Sequence, residues 1–191
     1  MSELTKPASV LFLTFCGCGY IICLIVCGRT ETVKNKVEKT NAMRRLDALK
    51  IKYNEHTYTD SDAISGVEVA QVLKQEPGRV FKTLVTQGKS KNYYVFMVPV
   101  AEELDLKKAA KAVSEKSIEM IKSKELLPLT GYIHGGCSPI GMKKFFPTTI
   151  HETTTEYETI FFSGGRIGFQ IELPFSDLAK AIKIQTADII V

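Results

Sequence analysis

The chain has 191 residues, of which 45% are hydrophobic and 24% are charged, a composition typical of a globular protein with a single core. Its net charge is +4, and the excess lies entirely after Val33, where 23 basic residues face 19 acidic ones. This bias excludes little, but it is weaker than expected for a protein that grips a long nucleic-acid backbone. If a nucleic acid is the substrate, we expect contact to be confined to its end or shared with a partner protein.

The first 33 residues form an apolar N-terminal extension. Residues 8–28 carry no charge and hold four of the five cysteines. That length is just enough to span a bilayer. As a secretory signal the segment is poor, because Lys6 is offset by Glu3 and no small-residue cleavage site follows.

Three explanations of this extension stay open, in decreasing order of preference. The start codon is assigned upstream of the native one, so that the protein begins nearer Val33 or Met43; the segment is a membrane anchor; or the protein is secreted. If an anchor formed, the basic residues that follow would hold the rest of the chain on the cytoplasmic side. We therefore divide the chain into an extension, residues 1–33, and one domain, residues 34–191.

After the extension, the apolar pattern predicts helices and strands that form a mixed sheet flanked by helices. Ser65 and Glu68 have the spacing of a capping box, Pro128 is expected to stop one helix, and Thr153 and Glu156 to cap another. The predicted elements are, in chain order, helix 41–50, strand 53–58, a helix from 65 ended by 76–78, strands 80–86 and 93–98 joined as a hairpin, helix 106–113, strand 118–120, helix 122–127, strand 145–150, a short helix, strands 159–162 and 168–173, helix 174–182 and a tail 187–191.

Lys82 lies inside the predicted strand 80–86. Because side chains alternate along a strand, Phe81 and Thr83 face one way while Lys82 and Leu84 face the other. Such a lysine either limits pairing at a sheet edge, extends over apolar neighbours to reach water, or faces a binding site. The pattern alone does not choose between these alternatives.

The segment Gly131–Gly141, which we call the glycine loop, contains four glycines. Glycines permit positive φ and close approach of the backbone to a ligand, so such a loop can direct N–H groups at a carbonyl or phosphate oxygen. It lacks the endings of a Walker A loop and the spacing of a dinucleotide fingerprint. A ligand-binding loop and a structural turn both fit it.

A third segment, residues 160–173, reads as two strands joined by a Ser-Gly-Gly-Arg turn, which alone is an ordinary hairpin. The strand that contains Lys82, the glycine loop and this hairpin follow one another in an order that, together with further short motifs, resembles a known family. It is the YbaK/EbsC family of aminoacyl-tRNA deacylases, with the related insertion domain of bacterial prolyl-tRNA synthetases. The motifs are Lys39-Thr40-Asn41-Ala42-Met43, His56-Thr57-Tyr58, Val98-Pro99-Val100 and Leu104-Asp105-Leu106-Lys107-Lys108. The resemblance runs from about Thr40 to the C-terminus.

This resemblance implies an α/β fold, a single YbaK-like domain with a mixed, mostly antiparallel sheet flanked by helices, and no metal or other cofactor. It also implies the site residues: Lys82, Gly135 and Ser163 as catalytic residues, and Tyr58, Gly136, Ser138, Gly164 and Gln170 as substrate-binding residues. Gln170 stands where the family usually has an aspartate. An amide can accept and donate hydrogen bonds but cannot act as a base, so we expect no acid–base role there.

The function implied by the resemblance is trans-editing: a cytoplasmic hydrolase that deacylates Cys-tRNA(Pro) at the 3′ acceptor end and works beside prolyl-tRNA synthetase. The substrate's own thiol would attack its ester, so no protein nucleophile would be needed. Two alternatives stay open, namely an Ala-tRNA(Pro) deacylase and a non-catalytic module that binds tRNA ends or a synthetase. A membrane is expected as a partner only if the N-terminal extension belongs to the native protein.

Two rival chemistries deserve comparison. Cys137 and His134 suggest a thiol–base pair, but residues three apart in a glycine loop need not face each other, and no third orienting residue is identifiable. We expect Cys137 to be a packed thiol. A zinc site is not expected because the three histidines lack metal-ligand spacing. The other two, His56 and His151, are expected to be surface or turn residues.

Overall fold

Residues 38–59 and 65–191, the parts of the chain that this computed structural model describes, contain five α-helices and eight β-strands. The helices are α1 (Asn41–Ala48), α2 (Gly66–Val72), α3 (Leu106–Ala112), α4 (Ser123–Thr130) and α5 (Phe175–Ala181). The strands are β1 (Asn54–Thr57), β2 (Val80–Gly88), β3 (Tyr93–Pro99), β4 (Ile118–Met120), β5 (Thr148–His151), β6 (Ile160–Ser163), β7 (Phe169–Leu173) and β8 (Ile184–Ala187).

The strands form one sheet in the order β1-β7-β6-β2-β3-β5-β8, and β4 pairs with β2 outside this path. Three pairs are parallel, β2–β6, β3–β5 and β5–β8, and the others are antiparallel. The predicted α/β fold with a mixed, mostly antiparallel sheet flanked by helices is therefore confirmed.

Side-chain alternation along the central strands divides the core between the two sheet faces. Phe81 and Met97 pack with residues of α1 and α5 on one face. On the opposite face, Phe96 and Val98 pack with Ala109 of α3. Two smaller clusters complete the core: one joins β2 and β3 to α4 and the glycine loop, and the other joins β2 and β6 to α2.

Local capping explains where several helices begin. Asp105 caps α3 with its carboxylate, and Ser65 and Glu68 form the predicted capping box at α2. Thr40 caps α1 by accepting a hydrogen bond from the Met43 N–H at 3.3 Å. The same hydroxyl donates to the carbonyl of Gly164, so one buried side chain ties the start of α1 to the turn after β6.

Several predicted boundaries are wrong. Pro128 lies inside α4 instead of stopping it, because the helix closes at Gly131, whose left-handed backbone lets its N–H reach the Leu127 carbonyl at 2.9 Å. α2 ends at Val72, well before residues 76–78, and β5 begins only at Thr148.

Two further predictions need correction near the C-terminus. The short helix is a 3-10 turn, Glu152–Glu156, with no side-chain cap from Thr153 or Glu156. The prediction of a tail over residues 187–191 does not include strand β8. This strand begins at Ile184 and lies parallel to β5.

The described residues from Glu38 to Val191 belong to one compact unit. Within them, no helix combines the length and apolarity that crossing a membrane requires. The predictions made for residues 1–33, and the boundary at residue 34, lie outside the described residues and stay predictions.

The two hydrogen bonds made by the Thr40 hydroxyl yield the first prediction. Thr40→Val keeps the shape of the side chain but removes both hydrogen bonds, and it leaves the buried Gly164 carbonyl without this donor. We expect the free energy of unfolding to fall by about 1–3 kcal/mol in urea titrations. The matched change Thr155→Val, at an exposed hydroxyl bonded only to its own 3-10 turn, should cost less than about 0.5 kcal/mol. Equal stability of the two variants would contradict this role of Thr40.

Candidate functional site

Strand β2 changes partners along one of its edges. Val80 and Phe81 pair with β6, whereas residues 86–88 pair with β4. Between these ladders, residues 82–85 have no strand partner on that side among the described residues, although they pair with β3 on the other. We call this unpaired edge the β2 gap.

Thr83 presents its main chain to the β2 gap. The Val100 N–H donates to the Val80 carbonyl and the Gly88 N–H to the Asn92 carbonyl, so even-numbered residues of β2 direct their main-chain groups at β3. Because the direction alternates along a strand, the N–H and C=O of Thr83 point into the gap. Its hydroxyl is also buried and has no partner among the described residues.

A cavity of about 300 Å³ opens at the β2 gap. It brings together five residues proposed from the sequence: Tyr58, Lys82, Gly135, Ser163 and Gln170. The remaining wall comes from the start of α2, the end of β4, α4 and the glycine loop. These lining residues include Ser65, Gly66, Val69, Met120, Ile121, Ser123, Leu126, His134 and Cys137.

The other three predicted site residues do not line the cavity. Ser138 is fully buried and accepts a hydrogen bond from the Ile140 N–H. The N–H of Gly136 donates to the Ile133 carbonyl, and that of Gly164 closes the β6–β7 hairpin. Their observed contacts hold the walls in place, and a direct role in binding stays a prediction.

Lys82 is the one lysine or arginine that lines the cavity within the described chain. Its Nζ lies 3.4 Å from the carbonyl oxygen of Val100, a long hydrogen bond, and it makes no ion pair with any described carboxylate. A cation held without a counter-charge can bind an anionic group of a ligand.

Gln170 supplies a buried polar group on the same sheet face as Lys82. It pairs with Ser163 of β6 on one side and with His56 of β1 on the other. The residue is only 7% exposed, and its Oε1 accepts no hydrogen bond from any described residue. Burying such an acceptor unpaired is unfavourable, so Gln170 is a polar residue of the cavity wall that the described residues leave unsatisfied.

Ser163 has a partner within the protein. Its hydroxyl accepts a hydrogen bond from the N–H of Gly165 at 3.3 Å, which stabilises the turn between β6 and β7. Arg166 in the same turn stacks over Phe169, with its guanidinium carbon 4.2 Å from the ring centre. The Ser163 hydroxyl therefore shapes the cavity wall as well as facing it.

The glycine loop contacts this turn closely. A Cβ on Gly136 would lie 3.1 Å from the backbone nitrogen of Ile167, so only glycine fits without a shift. At Gly135 there is room, because the nearest atoms of Ile167 would lie 3.6 Å away, but its φ of +80° is one that other residues adopt at a cost. Gly135 is thus required for its backbone conformation rather than for space.

Cys137 and His134 do not form a catalytic pair. Cys137 is buried, and burial raises the pKa of its thiol to about 12. His134 is exposed, and no hydrogen bond joins the two side chains. A thiol with so high a pKa is almost entirely protonated at neutral pH, and the protonated form is a poor nucleophile.

Glu172 and His56 form a structural network beside the site. Burial alone would raise the pKa of the Glu172 carboxyl, but hydrogen bonds from Thr159, His56 and Asn54 outweigh it and hold this pKa below its usual range. The nearest of these partners, the Thr159 hydroxyl, lies 2.7 Å from Glu172. His56 is half-buried, with its Nε2 2.9 Å from this carboxylate.

The expectation that His151 is a surface or turn residue is wrong. It is 4% exposed in β5, and its Nδ1 accepts a hydrogen bond from the N–H of Ile189. Across the described part of the chain, no three His, Cys, Asp or Glu side chains lie together as potential metal ligands.

This fold and its cavity define the class of the protein. The chain belongs to the aminoacyl-tRNA editing domain family, whose model matches residues 61–181. It is therefore an enzyme of the aminoacyl-tRNA deacylase class, and the resemblance found in its motifs is confirmed.

Among curated proteins, the chain is similar to the Enterococcus faecalis protein named "Putative Cys-tRNA(Pro)/Cys-tRNA(Cys) deacylase EbsC". The two are 46% identical over 157 residues, which cover 82% of this chain and 96% of that protein.

Solved structures agree with this assignment. The crystal structure of "a putative trans-editing enzyme for prolyl tRNA synthetase" matches with a TM-score of 0.71 and 25% identity, over 81% of this chain and 99% of that one. A hypothetical protein at 17% identity matches with a TM-score of 0.73, over 80% of this chain and all of that one, and this likeness shows the fold alone.

The burial of Cys137 yields a second prediction. Cys137→Ser and Cys137→Ala should keep most of the aminoacyl-tRNA deacylation rate, because the thiol packs in the wall and is not ionised. Initial rates are compared with the wild type after thermal melts confirm folding. Abolished activity in both folded variants would place the nucleophile on the protein.

A third prediction separates backbone strain from function at Gly135. Gly135→Ala should lose about 1–2 kcal/mol of stability because its φ is positive, and its deacylation rate should fall further than this instability explains. Gly131→Ala is the matched control, since φ is +86° there and Gly131 lies outside the cavity. If both variants lose activity in proportion to their stability, Gly135 has no local role.

Proposed function

We propose that this chain is a trans-editing enzyme that hydrolyses Cys-tRNA(Pro) with the 3′-terminal aminoacyl-adenosine bound at the β2 gap. The observation that carries the proposal is the cavity itself, in which Lys82 lies without a counter-charge among the described residues, beside Thr83 and the buried, unpaired acceptor of Gln170. The similarity to EbsC supports the cysteinyl substrate.

Lys82 anchors an anionic part of the substrate. The terminal adenosine of tRNA carries a phosphate, and a lysine without a counter-charge is suited to bind it as a point charge. In this role Lys82 fixes the position of the ester relative to the glycine loop, which contributes to catalysis by orienting the reacting atoms.

Thr83 and Gln170 bind the aminoacyl group itself. The Gln170 Oε1 is an acceptor and matches the α-ammonium group, which is a donor. The Thr83 N–H is a donor at the gap, and together with the N–H of Gly135 it is suited to stabilise negative charge on the ester carbonyl oxygen. Tyr58 and Ser163 complete the wall that holds the substrate.

The substrate supplies the nucleophile. The cysteinyl thiolate attacks its own carbonyl carbon, so a carbon–sulfur bond forms while the bond from that carbon to the ribose oxygen breaks. The ribose oxygen takes up a proton and free tRNA leaves. The cysteine thiolactone then reacts with water, which restores the thiol and gives cysteine. This route requires no ionised thiol from Cys137, whose pKa is raised to about 12.

Prolyl-tRNA synthetase is the proposed partner, because it is the enzyme that produces mischarged tRNA(Pro). The proposed location is the cytoplasm, where aminoacyl-tRNA is used. The proposed domain is residues 34–191, with residues 1–33 as an extension that takes no part in the reaction.

The experiment that tests this function compares four substrates: Cys-tRNA(Pro), Ala-tRNA(Pro), Cys-tRNA(Cys) and Ser-tRNA(Pro). We expect turnover of Cys-tRNA(Pro), at a rate that rises with pH toward the thiol pKa of about 8.5. Ser-tRNA(Pro) should be cleaved far more slowly, because a hydroxyl is barely ionised at neutral pH. Equal rates for the two would contradict attack by the substrate thiol. Binding without turnover would instead identify a non-catalytic module.

Lys82→Met tests the anchor in the same assay. Methionine keeps the aliphatic stem but removes the charge, so the fold should survive. Loss of one charge-assisted hydrogen bond, about 1.5–3 kcal/mol, corresponds to a fall of about 10- to 150-fold in kcat/KM for Cys-tRNA(Pro). Lys89→Met, at an exposed lysine in the β2–β3 turn, is the control and should leave the rate unchanged. Wild-type kcat/KM in folded Lys82→Met protein would remove Lys82 from the site.

A further inference from the structure

An open groove with a volume of about 780 Å³ lies outside the catalytic cavity. Its walls come from three elements far apart in the sequence: the end of α5 with the residues that follow it, the segment 139–148, and α1. Its basic side chains are Arg45, Lys144, Lys180 and Lys183, and no described acidic residue lines it.

Most of this positive charge is uncompensated. Lys180 pairs with Asp177 at 2.6 Å, but Arg45, Lys144 and Lys183 make no ion pair within the described chain. By contrast, the basic residues Lys39 and Arg44 are compensated, because Lys39 pairs with Asp47 and Arg44 pairs with Glu38. The groove therefore has a local excess of positive charge that the composition of the chain does not reveal.

Phe145 stands beside these cations with 64% of its surface exposed, more than any other large hydrophobic residue except the C-terminal Val191 among those described. It neighbours Lys144 in the chain and lines the same groove. An exposed aromatic ring among unpaired cations is the combination on which unpaired nucleobases stack while their phosphates are neutralised.

The glycine loop contributes to both the groove and the catalytic cavity. Cys137 lines the cavity and Pro139 lines the groove, so the two sites are only two residues apart along the glycine loop. Cys137 and Phe146, one from each site, also pack in the same hydrophobic cluster.

We propose that this groove, which we call the basic groove, binds the sugar-phosphate backbone of the substrate tRNA next to its 3′ end, and that Phe145 stacks on a base there. The identity of the RNA rests on the proposed function, whereas the binding of RNA rests on the groove itself. The mild net charge led us to expect contact only at the very end of the RNA or through a partner. The basic groove extends that contact, because folding gathers three distant cations.

Binding of unacylated tRNA(Pro) tests the proposal. The triple variant Arg45→Gln, Lys144→Gln, Lys183→Gln should bind at least about tenfold more weakly at moderate salt, and the slope of log affinity against log salt should decrease by about one per phosphate contact removed. Phe145→Ala should weaken binding about fivefold or more with little change in the salt slope.

The control removes the same charge elsewhere. Lys107→Gln, Lys111→Gln, Lys116→Gln changes exposed lysines on or after α3, which packs on the opposite face of the sheet. If this variant loses as much affinity as the groove variant, only net charge matters and the proposal is overturned. An unchanged tRNA affinity in the groove variant also overturns the proposal, and an acidic protein then becomes the expected ligand of the groove.

A second readout separates this proposal from the proposed function. The kcat/KM for Cys-tRNA(Pro) divided by that for cysteinyl-adenosine should fall at least about tenfold in the groove variant, because only the larger substrate reaches the groove. An unchanged ratio contradicts the proposal. If the wild type hydrolyses neither substrate, the proposed function fails, while the tRNA-binding comparison still decides whether the groove binds RNA.

Discussion

The change of partners along β2 is the constraint on which the site depends. A strand that pairs in parallel with β6 at its start and antiparallel with β4 at its end leaves main-chain groups unpaired between them. Such groups require partners, and in a sheet interior these must come from a ligand or from water. The gap therefore creates the cavity, and it directs Thr83 into it without any special sequence motif.

The loops in the wall of the cavity are held in place by contacts with one another and with α1. Thr40 ties the start of α1 to the turn after β6, and Ser163 stabilises that turn from within. Gly136 allows the glycine loop to approach the same turn closely. Because each of these loops is fixed by a contact, they complete a wall that helices and strands otherwise form.

Charged groups with a structural role in this molecule have partners that compensate their charge, whereas those available to bind a ligand do not. Glu172 is surrounded by hydrogen-bond donors, which stabilise its ionised form and leave it little capacity for a ligand. Lys82 in the cavity, and Arg45, Lys144 and Lys183 in the basic groove, lack such counter-charges among the described residues. An uncompensated cation can neutralise a phosphate, so the two sites together suit an RNA end better than a small neutral ligand.

The sequence by itself determined what depends on neighbouring residues. The capping box at Ser65, the hairpin of β2 and β3, and the conformation required at Gly135 all follow from local chemistry, and the motifs indicated the family. Only the tertiary structure decided what depends on contacts between distant segments. It buried His151, added strand β8, presented Thr83 at the gap and gathered the cations of the basic groove. Periodicity and turn residues report short-range preferences, whereas strand pairing and burial are set by residues that meet only when the chain has folded.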